Sequence, residues 1–128
     1  MEISPSMNVI KLNQDGTLDF VKIKKSEYER FCIDTVKSIA NWATPTVLEN
    51  FDLVYDDASE PIEDLINDNA EKLEPNSWNK FHYHAYIGDC VVVKTKPFKY
   101  KNGLVGTREI SCTKEDFEMI KNFLNIKE

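Results

Sequence analysis

Apolar positions alternate with polar ones twice within the first 24 residues, in M-N-V-I-K-L-N and T-L-D-F-V-K-I-K. The two runs flank N-Q-D-G, so a hairpin turning at Gly16 is predicted. The period then lengthens. Tyr28, Phe31, Cys32, Thr35, Val36 and Ile39 recur at spacings of three and four, the signature of a helix with one apolar face. Ser26 with Glu29 reads as its capping box, and Thr44-Pro45 as its end, because the residue before a proline resists helical dihedrals. F-D-L-V-Y (51–55) reads as a strand. Ser59 opens a second helix that buries Ile62, Leu65, Ile66 and Leu73, carries Pro61 in its first turn and stops at Glu74-Pro75-Asn76.

Strands dominate the second half. Asn79–Ile87 and Cys90–Thr95 flank Gly88-Asp89, while Phe98–Lys101 and Leu104–Ser111 flank Asn102-Gly103. Both dipeptides suit two-residue hairpins. Thr113 starts a closing helix with Asp116 at the box position and Phe117, Ile120, Phe123 and Leu124 facing inward. The expected architecture is α+β: a largely antiparallel sheet, order ββαβαβββα, with helices packed on one face. Without repeats or linkers, residues 1–128 are expected to form a single compact domain.

Composition narrows the class. Hydrophobic residues are 41% and charged residues 30%, ordinary for a soluble globular protein, and no apolar run reaches membrane-spanning length. The first residues, M-E-I-S-P-S-M, carry an acid where a signal peptide has a basic region, so a cytosolic protein is expected. Cys32, Cys90 and Cys112 are odd in number and lack any C-x-x-C, which points to buried thiols and away from a disulfide framework or structural zinc. Lys, Asn and Ile are abundant, and their AT-rich codons suggest a gene from an AT-rich microbe or its phage.

The net charge of −6 is unevenly spread. Residues 79–108 hold six cations against Asp89, a balance of +5, so the remainder carries −11. Ten acids and one lysine fall within 49–74. An acidic body repels a nucleic-acid polymer along its length, whereas a confined basic patch suits a small anionic ligand.

Three constellations could carry chemistry. His82 and His84 are the only histidines and would share a strand face with Tyr86, but the chain has no third histidine to complete a metal site and Asp89 is the sole nearby carboxylate, so no metal is expected. Nucleophile motifs, phosphate loops and dinucleotide fingerprints are absent, and neither an enzyme nor a cofactor is expected. The third is a set of aromatics (Phe81, Tyr83, Tyr86, Phe98, Tyr100) beside cations (Lys94, Lys96, Lys99, Lys101, Arg108) on consecutive strands. Rings offer stacking faces to a base, arginine a planar fork for phosphate oxygens, and lysine a point charge. The expected ligand-binding residues are Phe81, Tyr83, Lys94, Lys96, Lys99, Tyr100 and Arg108.

From Phe81 to Arg108, with the aromatic and basic strands between, the chain resembles phage anti-Thoeris proteins of the signal-sequestering kind. That resemblance implies a protein without catalytic activity that soaks up cyclic ADP-ribose isomers made by bacterial TIR-domain enzymes. It implies a homodimer or higher homo-oligomer, Phe81 stacked on the adenine, Arg108 on the pyrophosphate, and positive potential from the lysines of 94–101. The competing expectation is an acidic immunity protein or antitoxin that covers a basic toxin with residues 49–74. A metal enzyme built on His82 and His84 ranks third.

Overall fold

The computed structural model describes residues 5–36, 40–43, 48–56, 67–73, 86 and 88–126. The framework is an antiparallel sheet of six strands: β1 (Ser6–Leu12), β2 (Leu18–Lys24), β3 (Ala40–Ala43), β4 (Phe51–Asp56), β5 (Cys90–Lys99) and β6 (Val105–Ile110). Along the main path the order is β2-β1-β5-β4-β3, and β6 pairs with β5. Among the described residues three helices, α1 (Tyr28–Val36), α2 (Asp68–Leu73) and α3 (Lys114–Phe123), complete the α+β fold that the pattern predicts.

Strand β5 organises the rest. Cys90, Val91, Val92 and Val93 are all fully buried, as an uninterrupted apolar run requires when both faces of a strand are covered. Cys90 and Val92 join Ile10, Leu12, Leu53, Ala70, Leu73, Ile120 and Leu124 in one core, under α2 and α3. Val91 and Val93 join Val9, Val54, Tyr28, Cys32 and Val36 in a second core, under α1. The helices therefore lie on both faces of the sheet, not gathered on one.

The β1–β2 hairpin turns through Asn13–Gly16 as expected, with Gly16 at φ +96° and its N–H donating to the Asn13 carbonyl. Helix α1 differs from its predicted extent. Ser26 lies inside a short 3-10 turn (Lys25–Glu27) and does not cap, and the helix ends at Val36. Residues 40–43, expected as helix, pair with β4 as a strand, because β4 offers them a complete ladder from Leu53 to Asp56. The strands predicted at 90–95 and 98–101 are one strand that runs through Pro97. Of the second predicted helix, 59–66 and its end at 74–76 lie outside the described residues, as do 79–85 and 87 of the predicted hairpin about Gly88-Asp89.

Asn67 ties these parts together. It is 1% exposed, and its side-chain amide donates to the carbonyls of Leu12 (3.0 Å) and Gly88 (2.8 Å). Its side-chain oxygen accepts from the Ala70 N–H, capping α2, and its own N–H donates to the Tyr86 carbonyl at 2.7 Å. The end of β1, the approach to β5 and the start of α2 thus converge on one amide. Among the described residues no helix is long and apolar enough to cross a membrane.

Replacing Asn67 with leucine removes the partner of a buried carbonyl, a part-buried carbonyl and a helix N–H, which costs about 3 kcal/mol. Urea unfolding should show this as a lower midpoint at an unchanged slope. A midpoint within error of the parent would remove Asn67 from that role.

Candidate ligand face on the β5–β6 hairpin

Strand β5 outlasts its neighbours. Strand β1 pairs with Cys90–Val92 and β4 with Val91–Lys94, and the last bond on the β4 side runs from the Thr95 N–H to the Asn50 carbonyl. From there to Lys99, among the described residues, β5 pairs with β6 alone, forming a two-stranded arm. Its turn contains the predicted Asn102-Gly103 but is one residue longer, 101–103, closed by the Tyr100 N–H donating to the Leu104 carbonyl: Gly103 has φ +89°, its N–H donates to the Tyr100 carbonyl, and the Asn102 side chain accepts from the Leu104 N–H.

Residues directly opposite in an antiparallel pair share a face. Lys96 pairs with Arg108 and Phe98 with Gly106, so these four lie on one face. The Arg108 guanidinium carbon stands 5.9 Å from the Phe98 ring centroid, and Phe98 meets Tyr100 edge-on with centroids 4.4 Å apart. Arg108 and Lys96 are exposed, and Tyr100 is 52% exposed. Lys94, Lys96, Phe98, Gly106, Arg108 and Ile110 make up this face of the paired strands, and no acid is among them. Glu109 belongs to the opposite side, across from Thr95.

Of the seven expected ligand residues, Lys96, Tyr100 and Arg108 come together here. Lys94 shares the face, but its ammonium is bonded to the Asp116 carboxylate at 2.9 Å. Lys99 pairs with Val105 and so points to the other side. Phe81 and Tyr83, with His82 and His84, lie outside the described residues. Tyr86 does not join this face: it is 5% exposed, in the core beneath α2 and α3, with its ring edge-on to Tyr55. Among the described residues Phe98, which the sequence places among the aromatics without assigning it to the ligand, is the ring that meets the arginine. A two-residue loop at Asn102-Gly103 would pair Phe98 with Thr107, on the side away from Arg108; the loop holds three residues, 101–103, and this shift of one position brings Phe98 to the arginine's face.

At the foot of the arm, Asp116 has two tasks. It accepts from the Thr113 N–H while its own N–H donates to the Thr113 hydroxyl oxygen, the capping box predicted for α3. Burial alone would raise its carboxyl, but the bonds from the Thr113 N–H and from Lys94 outweigh this and hold it below the ordinary value of 3.8. Leu48, Glu49, Asn50, Phe51 and Met119 stand around the pair in a recess of about 440 Å³. Phe123, expected to face inward, is 48% exposed on α3.

The three thiols are buried, and desolvation pushes Cys32 and Cys112 up to about 12, which leaves them protonated and poor nucleophiles. Among the described residues no group of three metal-ligating side chains is close enough to hold an ion. No protein-family model, curated protein or solved structure matches the chain.

A carboxyl held below its unfolded value stabilises the fold above that value and loses the contribution as pH falls through the folded one. Asp116→Asn should therefore cost about 1–2 kcal/mol at neutral pH. The gap from the parent should narrow as pH drops below the ordinary value of 3.8. Urea curves at pH 7 and pH 3 check this. A gap that does not change with pH would show that the Asp116 charge contributes nothing.

Proposed function

We propose that this protein binds a small phosphorylated nucleotide on the cation–aromatic face of the β5–β6 arm and retains it unchanged, so that a receptor is deprived of it. The observation that carries the reading is the Arg108–Phe98–Tyr100 row with Lys96 directly across from Arg108. Successive same-face positions on a strand lie about 7 Å apart, roughly the span from a base to its 5′-phosphate. A base on the rings and a phosphate at Lys96 and Arg108 would fit that spacing. The exposed, acid-free pair of Lys96 and Arg108 favours an anion, while Lys94, one step further along, is already held by Asp116 at the recess of the arm's foot.

Binding without chemistry is favoured by the sequence, which carries no nucleophile or phosphate-loop signature, and by thiols too basic to attack. The finer reading rests on the resemblance: the ligand is a cyclic ADP-ribose isomer made by a TIR-domain enzyme, and its capture keeps a Thoeris effector inactive, an anti-defence role for a phage protein in the host cytoplasm. An exposed face covers one side of a ligand, whereas tight capture buries most of it. A second copy in a homodimer or higher oligomer would supply the opposite wall.

Purified protein incubated with cyclic ADP-ribose isomers, ADP-ribose and cyclic oligonucleotides, freed of unbound ligand and then heat-denatured, should release an intact nucleotide in stoichiometric amount by mass spectrometry. Release of a hydrolysed product would make the protein an enzyme. Retention of nothing would overturn the reading and turn the search toward a basic protein partner. Arg108→Ala should raise the Kd by about tenfold to a hundredfold, the loss of a charge-assisted bond, with the melting temperature unchanged. An unchanged Kd in calorimetry would take Arg108 out of the site.

A further inference from the structure

Three of the four glycines have an evident backbone reason. Gly16, Gly88 and Gly103 adopt φ of +96°, +71° and +89°, and a Cβ on any of them would meet nothing within 4 Å. Gly106 is the reverse. Its φ is outside the left-handed range, so any residue could adopt its backbone, yet a Cβ there would lie 3.0 Å from Tyr100 Cε2, 3.4 Å from Phe98 Cε1 and 3.5 Å from Phe98 Cζ. Glycine inside a strand is unfavourable and marks a place where something approaches closely. Here that something is a pair of rings.

We infer that Gly106 is a positioning residue for the ligand face: its bare Cα lets Phe98 and Tyr100 close over β6, edge to face, beside the Arg108 guanidinium. This rests on the proposed binding of a nucleotide to that face. The pairing explains the geometry. Phe98 and Gly106 are directly opposite, Arg108 reaches Phe98 on the diagonal, and Tyr100 comes in from the turn to fill the remaining side. A side chain at 106 would occupy the seat, lift the rings and separate the stacking surface from the cations. A platform held by packing loses less entropy when a base settles on it than two free side chains on an exposed arm. Gly106 thus makes no contact of its own with the ligand and acts through the two rings.

Gly106→Val tests this, because valine suits a strand and should leave the melting temperature equal or higher. The expected result is a Kd for ADP-ribose raised about tenfold, the scale of one base–aromatic stack, with a smaller rise for Gly106→Ala. Ribose 5-phosphate, which has the phosphate and no base, should change less than about twofold on the same scale. Equal losses for both probes, or no loss for ADP-ribose, would overturn the role. The seat itself is checked without ligand, by nuclear Overhauser contacts between the Gly106 α protons and both rings in the parent. If those contacts are missing, the inference fails and the binding reading stands. If they are present and the parent binds no ADP-ribose or cyclic isomer, the binding reading fails, and the positioning role with it.

Discussion

Four consecutive residues of β5, Cys90 to Val93, have no access to solvent, and such a stretch is stable only where both faces of its sheet are roofed. That constraint places α1 on one side and α2 with α3 on the other, and gives the protein two cores that share a single strand. It also decides where the ligand face lies. The buried half of β5 is held by β1 and β4, which among the described residues leaves the half beyond Thr95 to β6 alone. The cations and rings are thus carried out from the body on a strand whose other end is its most deeply buried part.

Two polar junctions keep this arrangement in register. Asn67 joins the end of β1, the Tyr86–Gly88 approach and the first turn of α2, and every bond of its side-chain amide goes to a group that water does not reach easily. Asp116 joins the start of α3 to Lys94, the last β5 residue that still pairs with β4. The arm therefore starts at a fixed point. Lys94 serves the frame as a bonded partner of Asp116, while Lys96, two positions further along, has its ammonium in solvent.

Much of this was legible wherever a local rule acts alone. The N-Q-D-G turn, the Thr113–Asp116 box and the strands β1 and β2 each depend on a few neighbouring residues and are found as expected, whereas the Asn-Gly turn takes one residue more than its dipeptide signal implies. The misreadings fall where distant parts of the chain decide. Ile39 continues the helical spacing of α1, but A-N-W-A is claimed by β4. Pro97 suggests a break in β5, but a proline interrupts a strand only if its missing N–H was needed. The candidate face was half legible: charge and aromatic content mark the strands, whereas the side on which each residue falls depends on register. Register brings Phe98 to Arg108 and sends Lys99 away, and it gives Gly106 a reason that no glycine count could supply.

Pro97 has one more effect. The Thr95 N–H points toward β4, and two residues on, Pro97 faces the same way just where β4 has ended. A bare strand edge invites another chain to add on and grow into a ribbon of stacked copies, and an arm tipped with exposed Leu104 and Val105 would be a ready seed. With no N–H to offer at its centre, that edge is a poor template for a further strand. The β5 edge of the arm can therefore stand beside sticky side chains in the open while its backbone resists the addition of a further strand.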